Sequence, residues 1–433
     1  MNPALRICII GAGPSGITAA KNLLESGFGD ITIYDRGRAV GGNWVFDAES
    51  GHSSVFETTH IISSRDYSQY EDFPMPEDYP DYPSHSQLAA YFQAYSCKFG
   101  VDPLIRFQTT VESCMRLDSG TWSIRVRDAE GAVSPREFDH LVVANGHHWE
   151  PRMPSYPGRF QGNLLHSHDF KRAEPFRNKR VLVIGGGNSA CDVAVETSRV
   201  SAATDISWRR GYRIVPKFVF GLPGDKIYNS AVERMPFLPR KLRWWFMQGL
   251  LNFLNGANRL YGLPEPDHSF GETHPTINSE LLYFIRHGRI RPRPDIAGYE
   301  GKQVRFTDGS TGEYDAIIAC TGFVIRHPFF ARELLDYSEG PVPLYLRMYH
   351  AEIPNLAFIG LFQPIGCIWP LAELQSKLLA RELRGEWRRP DDIRARIAAE
   401  DGRLVVRQLK TPRHTITVEY PVFRRRLLEE LSR

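Results

Sequence analysis

A chain of 433 residues, 42% hydrophobic and 24% charged with no low-complexity tract, is long enough for two domains and has the composition of a globular enzyme. A formal net charge of +3 excludes the broad positive field of a nucleic-acid-binding surface, and the short basic runs at 240–243 and 424–426 read as solvated helix faces. Cys8, Cys97, Cys114, Cys191, Cys320 and Cys367 form no CxxC pair, residues 1–6 lack the order of a signal peptide, and no run of about 20 uncharged apolar residues occurs. Together these exclude a zinc or disulfide framework and a spanning helix, and lead to the expectation of a reduced, cytoplasmic protein with no metal.

The first apolar strand, residues 6–10, runs into Gly11-Ala12-Gly13-Pro14-Ser15-Gly16 and a helical stretch over 17–26. The pattern opens a Rossmann unit: Gly11 permits the tight turn, Gly13 lets backbone approach a pyrophosphate, and Gly16 lets helix and strand pack closely. A second strand, 30–34, delivers Asp35, a carboxylate placed to accept ribose hydroxyls. Arg36 follows, then a second glycine pair and an aromatic, Gly41-Gly42-Asn43-Trp44, suited to a backbone that wraps a long cofactor. This segment resembles the flavin end of two-dinucleotide flavoproteins, which makes FAD the expected occupant of the first site, with Pro14, Ser15, Arg36, Gly42, Asn43, Trp44, His85 and Val111 among its contacts.

An antiparallel β-meander is predicted over 122–139 with its turn at Glu130-Gly131. A strand over 180–184 then enters Gly185-Gly186-Gly187-Asn188-Ser189-Ala190, a GxGxxA turn leading into a helix. The spacing that leads from Gly11 to Asp35 leads from Gly185 to Arg209, at the end of the strand 205–208, so an arginine replaces the ribose-binding carboxylate. A guanidinium followed by Arg210 suits the 2′-phosphate of NADPH, which a carboxylate would repel. The second site is therefore expected to take NADPH through Gly185, Gly187, Asn188, Ser189, Arg209, Arg210 and Thr321.

Residues 141–146 and 316–322 each read as a buried strand ending in a small residue and glycine, the expected return points of the chain between domains. The expected architecture is α/β, two Rossmann-like dinucleotide-binding domains with the NADPH domain (151–323) inserted in the FAD domain (1–150 and 324–433). The aromatic and aliphatic residues of 244–254 are expected in an internal helix covering the active-site cleft, the other reading being a peripheral membrane or dimer contact.

Phe160-Gln161-Gly162-Asn163-Leu164-Leu165-His166-Ser167-His168-Asp169-Phe170 matches FxGxxxHxxx(Y/F), the fingerprint of flavin-containing monooxygenases. With both glycine turns, and with segments at 72–79, 85–86, 208–211, 274–278, 359–364, 373–375 and 413–416 that look like family segments, the resemblance covers nearly the whole chain. It implies a cycle in which NADPH reduces FAD, oxygen adds at flavin C4a, and the resulting peroxyflavin oxygenates a soft sulfur or nitrogen nucleophile of a small molecule. The family's asparagine near flavin and NADP falls on Ile62, with Thr59 and His60 the nearby polar groups, and the resemblance places catalysis around these three residues. His60 reads equally as a plain surface or core histidine. His166 reads as a hinge or cofactor-positioning residue rather than an acid–base catalyst, and Gln363 and Gln375 as hydrogen-bonding partners of the isoalloxazine or adjacent backbone, or as packing residues. Baeyer–Villiger relatives end the fingerprint in tryptophan, and Phe170 stands here. A Baeyer–Villiger or amino-acid N-hydroxylating monooxygenase and a non-catalytic redox sensor remain the competing readings, and the family resemblance implies a homodimer.

Overall fold

The computed structural model describes residues 4–47, 53–228, 239–269, 272–273, 275–335, 343–403 and 416–433, with backbone alone at 240–241 and 400–403. The chain divides into two compact units, one made of Met1–Val55, Thr59–Glu150 and Val324–Arg433, the other of Phe56–Thr58 and Pro151–Phe323.

The first unit is built on a seven-stranded sheet. Its five parallel strands lie in the order Leu356–Phe358, His140–Val143, Ile7–Ile10, Ile31–Tyr34, Ile105–Arg106, and the short strands Leu344–Tyr345 and Tyr349–His350 close one edge antiparallel. Parallel strands covered on both faces must be apolar at every position, and Ile7–Ile10 is buried throughout. Because side chains alternate across a strand, Ile7 and Ile9 join a core with the helices Pro14–Glu25, His85–Lys98 and Trp369–Arg384. Cys8 and Ile10 face the other way, toward Trp122, Ile124 and Val126 of an antiparallel layer. That layer contains the predicted meander, Trp122–Arg127 and Val133–Phe138, together with a third strand, Thr110–Arg116, that was not anticipated.

The second unit repeats the plan. Five parallel strands lie in the order Ile290–Arg293, Ala203–Ser207, Arg180–Ile184, Ala316–Ala319, Asn163–His166. Val181 and Val183 pack with the helix Asn188–Ser198, whereas Leu182 and Ile184 pack with the strands Ile296–Gly301 and Gln303–Phe306. Two Rossmann-like units thus present two strand–turn–helix corners at their sheets' carboxyl ends, where open α/β sheets bind ligands.

One sequence expectation fails here. The helix Arg240–Asn255 is not internal: Leu251 is buried, but Trp245, Phe246 and Phe253 are 68%, 56% and 81% exposed. Its apolar residues outnumber one helical face, so some must point outward whichever side packs. No helix among the described residues is long and apolar enough to cross a membrane.

Candidate cofactor-binding sites

The first corner is shaped by backbone crowding. Gly11 has φ +106°, and a Cβ on it would lie 2.6 Å from the carbonyl oxygen of Ala144 on the neighbouring strand's extension. A Cβ on Gly16 would lie 1.8 Å from the carbonyl oxygen of Gly11, so strand and helix meet at a distance only glycine allows. Gly13 caps the helix Pro14–Glu25 without any side-chain acceptor, and Pro14 has no N–H to satisfy. A helix start left without a capping side chain is where phosphate oxygens are accepted. The second glycine pair lies directly over it: the Gly41 N–H donates to the Ala12 carbonyl at 3.1 Å, and a Cβ on Gly42 would lie 3.0 Å from the Gly13 Cα.

Asp35 ties this corner together. Its Oδ2 accepts the Ala12 N–H and its Oδ1 the Gly37 N–H, both at 2.6 Å, leaving the remaining lone pairs for hydroxyl donors. Arg36 stacks 4.9 Å from the Trp149 ring, and burial lowers its pKa from the ordinary value against the opposing pull of Asp35 and Glu150. Asn43 acts as a loop anchor: its Oδ1 accepts the Ser54 N–H at 2.8 Å and its carbonyl the Ser53 hydroxyl at 2.6 Å. Trp44 sits edge-on to Trp369 at 5.7 Å. Ser15 lies under Gly360, where an added Cβ would come within 2.2 Å of its hydroxyl. Val111 is cross-strand from Val126, and the preceding Thr109 N–H donates to the Asp35 carbonyl at 2.9 Å, so Val111 borders the ribose-side loop.

The second corner makes the same turn. Gly185 has φ +126° with the Cys320 carbonyl where its Cβ would be, Gly186 lies against the rings of Tyr212 and Trp208, and Gly187 caps the helix Asn188–Ser198 with no side-chain acceptor. Ser189 is exposed in the first turn. Arg209 is exposed just beyond the strand Ala203–Ser207, and Arg210 lies 5.6 Å from the Tyr212 ring. The register corrects the spacing argument: Ile184 pairs with Ser207 as Ile10 pairs with Tyr34, so Trp208 stands at the place of Asp35 and Arg209 one residue beyond, at the place of Arg36. Thr321 donates its hydroxyl to the Arg152 carbonyl, and the Arg152 N–H donates to Gly322 at 3.0 Å, so Thr321 fastens the end of the strand Ala316–Ala319.

The fingerprint segment forms core rather than a reacting surface. Phe160 packs near Tyr299, and Gly162 is glycine because a Cβ would lie 2.6 Å from the Phe160 ring and 2.7 Å from the Asp315 carbonyl. Phe170 is enclosed by Phe56 and Phe176 at 5.3 and 5.6 Å. His166 ends the strand Asn163–His166 with its ring 5.2 Å from Phe323, and its Nδ1 accepts the His168 N–H at 3.1 Å. Burial pushes its pKa down to about 4, so the ring is neutral at physiological pH.

The profile of the family described as flavin-binding monooxygenase-like (FMO-like) matches residues 4–431. The chain belongs to that family. Dimethylaniline monooxygenase (N-oxide-forming) 2 of Rattus norvegicus is 34% identical over 404 residues, covering 89% of this chain and 75% of the relative. Flavin-containing monooxygenase 5 of the same species is 32% identical over 433 residues, covering 96% and 80%. Among solved structures, S-allyl-L-cysteine S-oxygenase from Allium sativum shares the fold with TM-score 0.71 at 22% identity over 99% of this chain and 88% of that one. Open cyclohexanone monooxygenase shares it with TM-score 0.73 at 16% identity over 99% and 98%. The protein is a flavin monooxygenase of small molecules that uses FAD and NADPH, and its two uncapped glycine corners fit two dinucleotides.

Around the position of the family asparagine, the residues are placed as follows. Ile61 enters the core, Ile62 is half-exposed, and His60 is exposed in a one-residue bridge to Ser84. Thr59 contributes its carbonyl, which accepts the His85 N–H at 2.9 Å and fixes the start of the helix His85–Lys98. The His85 ring lies 5.5 Å from Phe46. Thr59 is thus tied into the fold through its backbone, and His60 sits on the surface of its unit.

Of the readings open for Gln375, the structure shows the bond to backbone. Its side chain is 0% exposed, its Oε1 accepts the Gly360 N–H at 3.0 Å, and its Nε2 donates to the Leu346 carbonyl at 2.8 Å. Gln375 thus packs within its unit and holds Gly360 over Ser15. Gln363 keeps some surface and bonds His147 Nε2 through its Oε1 at 3.2 Å. His147, a partner sequence reasoning missed, is buried and held neutral by desolvation. The only sequence signal for it was its place after the strand-ending Asn145-Gly146. The Asn188 Oδ1 accepts the Ile277 N–H at 2.6 Å. His274 and residues 413–415 of the family-like segments lie outside the described residues.

Proposed function

We propose that this chain is an NADPH- and O2-dependent monooxygenase that oxygenates a sulfur or nitrogen nucleophile of a small molecule, with FAD at the Gly11 corner and NADPH at the Gly185 corner. When bound, FAD would supply the redox and oxygen chemistry of the reaction. The protein's share is binding, orientation and exclusion of water. Asp35 orients the ribose of the first dinucleotide, while Gly11, Gly13 and Gly16 let its pyrophosphate meet the helix Pro14–Glu25. The exposed Arg209, with Arg210 beside it, pairs with the 2′-phosphate of the second and excludes the need for a carboxylate there. The observation that carries the assignment is that Trp208, Arg209 and Arg210 follow this strand where Asp35 follows its counterpart in the first unit.

Soft nucleophiles need no general base from the protein, and the neutral, buried His166 is consistent with such chemistry. Phe170, standing where the fingerprint of Baeyer–Villiger relatives has tryptophan, favours heteroatom oxygenation over lactone formation. A cytoplasmic location is supported by six cysteines that are all free thiols, and a homodimer by the exposed aromatic side of the helix Arg240–Asn255. The test is a steady-state comparison of NADPH and NADH oxidation with sulfide and tertiary-amine substrates. NADPH preference and stoichiometric S- or N-oxide support the proposal; equal use of NADH, or no oxygenated product, refutes it.

A further inference from the structure

A short segment far along the chain is stitched across the second glycine corner. The strand Thr276–Ile277 pairs parallel with Ile214–Val215, with the Thr276 N–H donating to Arg213 and the Asn278 N–H to Val215, both at 3.0 Å. From this clip three successive residues reach the corner. The Thr276 hydroxyl donates to the Gly186 carbonyl at 2.7 Å, the Ile277 N–H donates to Asn188 Oδ1 at 2.6 Å, and Asn278 Nδ2 donates to Asp192 Oδ1 at 2.7 Å. The segment therefore holds the turn, the first residue of the helix Asn188–Ser198 and that helix's second turn. Asn278 is itself fixed, since its Oδ1 accepts the Glu280 and Leu281 N–H groups at 2.9 and 2.7 Å at the start of the helix Leu281–Arg286. Both Thr276 and Asn278 are buried.

This geometry solves a problem the corner poses. The helix start has no side-chain cap, and its N–H groups must stay free and aligned for phosphate oxygens. Alignment then has to come from the side of the helix, through bonds that leave the end open. We infer that Asn278 is a positioning residue for NADPH: through its bond to Asp192 it fixes the helix Asn188–Ser198 so that the Gly185–Asn188 turn meets the pyrophosphate already ordered. Asp192 accepts as a carboxylate whose pKa is raised to about 6, mainly by lost hydration, with Lys217 and Asn278 opposing and Glu280 and Glu196 reinforcing the shift. Neither residue needs to touch the cofactor. The role rests on the reading that the second corner takes NADPH.

The experiment uses the FAD-loaded full chain with NADPH turnover and NADP⁺ titration. Losing one hydrogen bond to a charged group corresponds to at least about a ten-fold change in an equilibrium constant. Asn278→Ala and Asp192→Ala are each expected to raise the NADPH KM and the NADP⁺ Kd about ten-fold, with kcat at saturating NADPH within about two-fold. Asp192→Asn keeps an acceptor oxygen and is expected to stay within about two-fold of the parent, and the double alanine variant is expected to be no worse than either single one. Tyr314→Phe serves as the stability control, because it deletes a buried hydrogen bond to Asp205 in the same unit without touching the corner, and its KM should not move. The inference is overturned if the alanine variants leave KM unchanged, if kcat alone falls, if Tyr314→Phe raises KM equally, or if Asp192→Asn is as weak as Asp192→Ala. Gly187→Val separates the two levels: if it too leaves NADPH binding intact, the NADPH assignment itself fails, and if it weakens binding while the alanine variants do not, the positioning role alone fails.

Discussion

Replacing Gln375 by leucine separates a structural amide from a flavin contact. In the native fold the amide joins two buried backbone groups, the Gly360 N–H and the Leu346 carbonyl. Leucine of similar size would remove the Gln375 bond from each of them, at about 1–3 kcal/mol each, and would return about 1–2 kcal/mol through its own burial. The expected net loss is about 1–4 kcal/mol, which for a unit of this size lowers the melting temperature by roughly 2–15 °C. Because Gly360 lies against Ser15 at the first glycine corner, weaker FAD retention should follow as a secondary effect. The assay is thermal unfolding of the FAD-loaded and FAD-stripped protein side by side, with flavin content measured by absorbance. A structural amide destabilises both forms alike. A variant whose FAD-free form melts like the parent while its FAD affinity collapses would refute the reasoning and restore Gln375 to the flavin.

Gly16→Val places carbon atoms where the Gly11 carbonyl stands, and the purified protein is expected to be colourless or insoluble; a fully flavinylated variant in an absorbance scan would contradict the close approach described. Arg209→Ala should lower the NADPH-to-NADH ratio of kcat/KM by about ten-fold or more by removing a charged hydrogen bond to phosphate, leaving kcat/KM for NADH unchanged, as steady-state kinetics would record. His140, His166 and His327 are held neutral by burial, with pKa values pushed down from 6.5 to about 3, 4 and 3. A base whose folded pKa is lowered takes up its proton first in the unfolded chain, so stability is full above about pH 6.5 and falls as the pH drops toward 4. For His166 alone the loss is about 3 kcal/mol. Urea unfolding at pH 8 and pH 5 should show that decline, and His166→Gln should remove about a third of it, the His140 and His327 shares remaining; an unchanged slope would place the ring in a more hydrated setting.

Much of this architecture is legible in sequence because it follows from local constraints. Residues 7–10 and 181–184 are apolar at every position, as strands covered on both faces must be, and Gly11, Gly16 and Gly185 stand where a Cβ would strike a neighbouring carbonyl. Arg209 is legible only approximately through spacing: Ile184 pairs with Ser207 as Ile10 pairs with Tyr34, so Trp208 stands where Asp35 does and Arg209 falls one residue beyond. What stays hidden has the opposite property. Gln375 finds its partners at Gly360 and Leu346, and Asn188 finds Ile277, through tertiary packing that no local pattern records. The strand Thr110–Arg116 has alternation too weak to mark it, because only Cys114 of its seven residues is buried. In the helix Arg240–Asn255 apolar residues line more than one face, so composition alone did not reveal that Trp245, Phe246 and Phe253 point outward.

The most direct test of the account is single-turnover oxygenation under isotopically labelled dioxygen, with the FAD-loaded protein, one equivalent of NADPH and a thioether or tertiary amine. The account predicts one labelled oxygen atom in the S- or N-oxide for each NADPH consumed. NADPH consumption matched by hydrogen peroxide, with no labelled product from either substrate class, would contradict it.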